Sequence, residues 1–412
     1  MLGKNYKALS SLLKVSLLSF IAIFAFAIYD FVLPIFTEDQ AGSLALVGII
    51  VSLVYVASLI AEVPVGRLVD RYGRIRVLMI ATTSLAALGI IYFALNDILW
   101  LASLSLIVGV LAVAFWIPSA VLVRQFSPKN MLNASQGIYL TITQLGWIGG
   151  PILAGFIAET LSPKHNFLIF AGFMFAATIA ALILFKGKDT TAAHLEPHKH
   201  RAKINAFLES FTKFVKLHKH ATPLYILTMI ANIWIALEWS FIAIAGMQVF
   251  HLTDGAAGLL VGAMMAMEGL LYFTSGYLMD KIGSKYVLTA GFFLLFCATY
   301  FTFLSHTMEY YVISVLLAAG ATSWIIPGTE ALLTKITPAN ILGEMTSVFD
   351  TSKDFGLIIG PLAGGFIASF FGSAQYAFSL VFITAAVATI LCGYVFWPEQ
   401  KDIKINKLFA KN

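Results

Sequence analysis

The chain is organised around apolar runs too long for any setting but a lipid bilayer. Twelve of them lie near 14–36, 43–66, 76–95, 98–123, 134–159, 166–185, 222–250, 256–279, 285–305, 309–334, 343–371 and 375–397. A hydrocarbon core about 30 Å thick takes roughly 20 helical residues to cross. Inside it, only helices and closed barrels satisfy their own backbone polar groups. The sequence therefore predicts an all-α integral membrane protein with twelve transmembrane helices. Composition supports this: 11% of the 412 residues are charged and 59% hydrophobic, against about a quarter and about a half in soluble domains. The first run follows Lys4, Lys7 and Lys14, exceeds the apolar region of a signal peptide and lacks a small-residue cleavage pattern, so it reads as an uncleaved span.

A polar stretch at 186–221, rich in Lys, Arg and His, separates six runs from six. The expected organisation is an N-terminal six-helix bundle (1–185), a cytoplasmic linker (186–221) with a short amphipathic helix at 204–217, and a C-terminal bundle (222–412) ending in a short basic tail. Lys and Arg in short loops mark the cytoplasmic side. With the N-terminus inside, 24 of the 26 basic residues fall in the N-tail, even-numbered loops, linker and C-tail; Lys164 falls outside and Lys353 within a span. The opposite loops carry Glu38, Asp39, Asp97, Asp254 and Glu309. Both termini are expected in the cytoplasm, and the chain in the cytoplasmic (inner) membrane.

The two halves repeat. "GRLVDRYGR" at 66–74 corresponds to "GYLMDKIGS" at 276–284, and "GWIGGPILAG" at 146–155 to "GLIIGPLAGG" at 356–365, each 210 residues apart. Pro128 and Pro338 keep the same spacing, and "WIP" at 116–118 matches "IIP" at 325–327 with a one-residue slip. Two six-span units in one orientation form a parallel repeat about an axis along the membrane normal. Transporters are built this way, with the substrate site between the halves near the midplane.

The loop after span two resembles the signature of the major facilitator superfamily through Gly66, Leu68, Asp70, Arg71, Gly73 and Arg74, echoed at Gly276, Leu278, Asp280, Lys281 and Gly283. Span five is similar to the motif of the drug/proton antiporter branches, with Gly137, Gly146, Gly150, Pro151, Ala154 and Gly155; span eleven repeats it at Gly356, Gly360, Pro361 and Gly364. The resemblance covers essentially the whole chain. It implies that the charged loop acts as a latch between halves, whereas the charges alone are also explained as a topology signal. Asp70 at a helix end can face the positive N-terminus of another helix or pair with Arg74 four residues on. The acid that the family often places at the cytoplasmic end of span four is replaced here by "VLVRQFSP", with Arg124 and no acid. The glycine stripe implies a proton-tight surface in exporters, and close helix packing explains it equally.

Ionisable side chains within spans are costly and mark cavities or partners. Asp30 lies in span one, Glu238 in span seven and Glu330 in span ten, three of the four spans (one, four, seven and ten) that line the cavity in the family. They are the candidates for proton coupling and cationic-substrate contact, since desolvation favours a carboxyl that binds and releases a proton. Glu62, Glu268, Asp350, Lys353 and Asp354 are further coupling candidates, with a structural ion pair the competing reading for the span-eleven trio. Trp116, Trp234, Trp239 and Trp324 fall in cavity-lining spans and suit a hydrophobic or amphipathic ligand. One departure stands out. Exporters of the family carry an arginine in span four, four residues before a glycine; here Ser105 precedes Gly109.

Other chemistries are excluded or left without support. Cys297 and Cys392 lie in apolar runs and suggest neither a disulfide framework nor a thiolate metal site. His198/His200 and His218/His220 in the linker lack the companions a metal centre needs, and the basic linker and tail fit anionic lipid rather than nucleic acid. There is no nucleotide-binding or nucleophile–base motif, so no enzyme activity and no cofactor are expected. The expected partners are a small-molecule substrate, protons (or sodium) and the bilayer, with the chain a monomer. The leading expectation is proton-coupled export of small amphipathic or drug-like compounds by alternating access. Uptake or facilitated passage of a polar metabolite is the alternative. A non-transporting sensor or scaffold is a third, disfavoured because such proteins usually append a soluble signalling domain.

Overall fold

The structure, a computed structural model, describes residues 2–95, 97–127, 132–185, 221–337 and 342–395. The linker helix expected at 204–217, the linker histidines, Pro128, Pro338 and the basic tail lie outside these. The first half comprises α1 (Leu2–Ala41), α2 (Leu44–Tyr72), α3 (Arg74–Ala94), α4 (Ile98–Phe126), α5 (Leu132–Thr160) and α6 (Asn166–Leu184). The second comprises α7 (Thr222–Phe250), α8 (Asp254–Ile282), α9 (Ser284–Leu304), α10 (Met308–Ile336), α11 (Leu342–Phe371) and α12 (Phe378–Val395). All twelve positions carry a helix long and apolar enough to cross a membrane, and the described residues contain no strand.

The repeat seen in the sequence sets the helix ends. α2 and α8, α3 and α9, and α4 and α10 begin and end 210 residues apart. Gly73 and Gly283 break the α2–α3 and α8–α9 connections at φ 89° and 93°, a left-handed backbone that side chains with a Cβ rarely adopt. Each accepts the role of helix stop, its N–H bonding to the carbonyl of Val69 or Met279 at 3.0 Å. α1, α2, α4, α5, α10 and α11 each run through an internal proline, which membrane helices tolerate.

α1 and α7 are the central helices: 67% and 78% of their apolar windows are buried, against 33–61% in the others. α3 with α6, and α9 with α12, form the outer flank of each half, while α2 packs on α11 and α5 on α8 across the interface. The bundle has a basic end, carrying Arg67, Arg71, Arg74, Arg76, Lys281 and Lys285, and an acidic end with Glu38, Glu159, Asp254 and Glu309.

The halves are joined at the acidic end and parted at the basic end. Gly155 of α5 meets Gly258 of α8, and Gly365 of α11 meets Gly48 of α2; each residue lies 210 positions from its counterpart in the other contact. A Cβ on Gly258 would fall 2.9 Å from the Gly155 Cα, and one on Gly48 would fall 3.1 Å from the Gly365 Cα, so only glycine allows this approach. Glu159 accepts hydrogen bonds from Gly255 N at 2.9 Å and Thr253 Oγ1 at 3.1 Å, capping α8 from the other half. Gln248 Nε2 donates to Glu38 Oε1 at 2.8 Å. Midway, Gln144 Nε2 donates to the Met265 carbonyl and Ser52 Oγ to that of Ile358, both at 2.9 Å. Beyond Gln144 the same face of α5 presents Thr141 and Gly137, both exposed, and a Cβ on Gly137 would touch nothing within 4 Å.

Candidate transport site

At the midpoint of the interface α1 brings Asp30 to a cleft lined by Leu33 and Pro34 of the same helix, Val51, Val54 and Tyr55 of α2, and Trp239 and Ser240 of α7. Its free volume is about 10 Å³, roughly one water. Asp30 therefore sits where the halves meet, with its cleft nearly shut. Tyr55 and Ser240 were missed from sequence; Tyr55 lies one heptad before Glu62 in the α2 run, a hydroxyl-bearing side chain on the same helix face.

An aromatic wall leads to this cleft. Phe26 of α1 stacks on Trp116 of α4 at 5.7 Å, Trp116 on Trp147 of α5 at 6.3 Å and 10°, and Trp147 meets Trp239 of α7 at 5.0 Å. Trp147, absent from the sequence candidates, is the ring that carries the wall from one half to the other. The other two tryptophans stand apart. Trp234 is fully buried within the second half against Phe378 of α12, and Trp324 donates its indole N–H to Thr274 Oγ1 of α8 at 3.1 Å. The reason is helical phase: Trp234 lies five residues before Trp239 on α7, which turns it to another side of the helix.

The acids divide into three settings. Asp30 opens on the cleft. Glu238 and Glu268 are 2% and 4% exposed inside the second half and interact electrostatically with each other. Thus Glu238 is withdrawn from the cleft that its neighbour Trp239 lines. The remaining acids collect toward the basic end. Lys353 Nζ of α11 bonds Glu330 Oε1 of α10 at 2.9 Å and Asp350 Oδ1 at 3.3 Å. Glu62 of α2 interacts across the interface with Asp350 and Asp354. Four carboxylates around one ammonium leave this parting wall formally at −3.

Ser105, in the place of the exporters' arginine, completes a fully buried hydroxyl chain: Tyr29 Oη to Tyr92 Oη at 2.9 Å, and Tyr92 Oη to Ser105 Oγ at 3.2 Å. A neutral chain thus occupies the interior of the first half where a buried cation is expected by resemblance.

In the charged loop, Arg74 Nη1 donates to Gln125 Oε1 on α4. Gln125, in the "VLVRQFSP" segment that lacks an acid, supplies the loop's tie to span four as a neutral acceptor. Asp70 and Arg71 are exposed, with the Arg71 guanidinium over the Tyr72 ring at 5.2 Å. Gly66 and Gly276 have open space where a Cβ would go, and Asp280 is exposed beside Lys281 and Gly283. The glycine stripes act mostly within halves. Gly146 and Gly150 seat α5 on α1 at Phe24 and Ala27, and Gly356, Gly360 and Gly364 seat α11 on α7 from Met229 to Leu237. Pro151 and Gly155, with Pro361 and the unanticipated Gly365, form the contacts between halves.

Two six-helix halves with a cleft shared between them have the build of a membrane carrier. The family model described as Major Facilitator Superfamily matches residues 15–245 and again 224–411. The chain belongs to the Major Facilitator Superfamily, and it is a transporter rather than an enzyme. It is 25% identical over 354 residues to an uncharacterised MFS-type transporter of Methanocaldococcus jannaschii, covering 85% of this chain and 89% of that one. It is 27% identical over 372 residues to the multi-drug resistance efflux pump PmrA of Streptococcus pneumoniae, covering 84% and 87%. Among solved structures, the nucleoside transporter NupG superposes with a TM-score of 0.75 at 13% identity, covering 94% and 98% of the two chains. A bacterial homologue of the iron transporter ferroportin gives the same score, identity and coverage.

Proposed function

We propose that the protein exports small amphipathic cations from the cytoplasm in exchange for protons. The observation that carries this reading is Asp30 in a midplane cleft at the end of a four-ring aromatic wall spanning both halves. A carboxylate and electron-rich ring faces recognise the same ligand, an organic cation with apolar bulk. The basic end faces the cytoplasm by the placement of Lys and Arg, so the parted side is the inner side. Cargo then enters past the −3 wall of Glu62, Glu330, Asp350, Lys353 and Asp354, which draws cations inward. Resemblance to efflux pumps such as PmrA supports the outward direction.

Transport follows from two packings of the same halves. In the present one, the Gly155–Gly258 and Gly48–Gly365 contacts shut the outer side. Rocking the halves about the midplane parts these and closes the basic end, presenting the cleft to the outside. The test is flux of tetraphenylphosphonium and a panel of related cations in proteoliposomes under an imposed proton gradient. Gradient-driven movement by wild type and its loss in Asp30→Asn, with the protein folded, is the expected result. Failure of the gradient to move any of the panel overturns the reading.

A further inference from the structure

The second half contains a pair of acids that the cleft does not use. Glu238 of α7 and Glu268 of α8 are both more than nine-tenths buried. Glu238 Oε2 and Glu268 Oε1 are buried oxygens with no hydrogen-bond partner among the described residues. The helices that bear them pack together, and the two carboxyl groups are near enough to act on each other electrostatically.

Among the described residues, no cation is seen to compensate them. Tyr272, one turn further along α8, interacts with both acids and with Glu330 of α10. Tyr55 of α2 interacts with Glu238 and with Asp30 of α1. On α7 itself the neighbour is Trp234, and Lys353 of α11 is held by Glu330 and Asp350. No Lys, Arg or His is among the groups that interact with either carboxyl. Two ionised carboxylates here would repel each other in a medium that solvates neither. One proton held between them removes one charge and supplies the hydrogen bond both free oxygens lack. A metal cation is disfavoured: no group of three His, Cys, Asp or Glu able to hold one occurs among the described residues, and hard cations take six or more oxygens.

We propose that Glu238 and Glu268 form a proton-sharing carboxyl pair, a proton site separate from the Asp30 substrate cleft. The assignment rests on the proton-driven export reading and divides its labour between two sites. The interface covers the pair from the first half. Gln144 of α5 donates to the Met265 carbonyl at 2.9 Å, and a Cβ on Gly269 would fall 2.8 Å from Gln144 Cγ, so the contact brackets Glu268 on α8. When the halves rock, this cover moves, and the pair gains a proton from water on one side and returns it to water on the other. No bond other than O–H is made or broken.

The test uses the full chain in lipid nanodiscs and dicyclohexylcarbodiimide, which adds to protonated carboxyl groups in apolar surroundings to leave an N-acylurea. Mass spectrometry should find Glu238 or Glu268 labelled, never both in one chain, with this adduct declining as pH rises and absent in E238Q/E268Q. Infrared titration, which needs no reagent to enter, should show a protonated-carboxyl C=O band that the double variant lacks. Absence of that band, or adducts on both acids of one chain, overturns the proposal. In proteoliposomes E268Q should lose about tenfold or more of proton-driven tetraphenylphosphonium movement while binding the cation within about twofold of wild type, whereas D30N loses binding. If wild type ignores the proton gradient, the export reading fails and the labelling alone decides the pair. If E268Q keeps wild-type drive, the export reading stands and the pair is not its proton site.

Discussion

Adding one methyl group at Gly258 should shift the whole transporter toward the opposite conformation. The Cβ of Gly258→Ala would lie 2.9 Å from the Gly155 Cα and 3.1 Å from its nitrogen, and closer still to the Pro151 carbonyl oxygen. All three are backbone atoms, so no side chain can rotate away. Carbon–carbon contacts settle at about 3.5–4.0 Å, so α5 and α8 must separate by roughly 0.5–1 Å or the interface must open. Overpacking of this kind costs about 1–3 kcal/mol. The cost falls on the state closed at the acidic end, because the contact exists only there. The equilibrium should therefore move about 5- to 150-fold toward the state open at that end. Spin labels at Leu161 and Tyr310 report the acidic end, and labels at Tyr72 and Ile282 the basic end; all four side chains are exposed. Pulsed electron resonance should show the first distance lengthening and the second shortening, with Gly48→Ala acting in the same direction. Gly172→Ala, where a Cβ meets nothing within 4 Å, is the control. Unchanged distances in a folded Gly258→Ala protein would refute the assignment of this contact as the gate.

Three further outcomes follow from single features. Gly73→Ala should lower thermal stability by about 1–2 kcal/mol, because φ 89° is strained for alanine, whereas Gly66→Ala, inside α2 and facing open space, should cause no loss in the same melt. Gln375→Ala removes an amide whose two Nε2–H donors are shared among the carbonyls of Thr302, Phe303 and Ser305 at 2.8–3.0 Å, at the end of α9; it should cost about 1–3 kcal/mol in denaturation, and Gln375→Asn should not recover it. Trp147→Ala should weaken tetraphenylphosphonium binding about tenfold by calorimetry, from loss of ring contact and cation–π attraction, while Trp234→Phe, away from the wall, should leave binding unchanged.

Much of the architecture was legible along the chain. Apolar run length announced twelve spans, and the 210-residue echo of Gly66–Arg74 announced two halves whose helix ends repeat with that spacing. Asp30 was legible as a cleft residue because a lone carboxyl in a span needs a polar setting. The glycine motifs were legible as packing surfaces, although their sequence could not say which glycines bridge the halves. Gly155 and Gly365 do, while Gly146, Gly150 and Gly360 do not. Trp147 and Tyr55 were unreadable because aromatic residues in a span look alike whether they meet lipid or a ring from another helix. Trp234 was misjudged for the same reason.

The sequence by itself determined what crosses the bilayer, how often, and with which internal repeat, since hydrocarbon imposes helix length and backbone pairing on any chain that enters it. It also determined the charged turns, because Gly73 and Gly283 are required by local backbone geometry. Only the tertiary structure decided that Asp30 opens on a cleft while Glu238, two residues short of the 210-residue repeat, is buried in the second half near Glu268. Within a membrane, lipid and protein are equally apolar neighbours, so helix periodicity names a face without naming what covers it. Partners for a buried charge are then settled by how the helices are brought together.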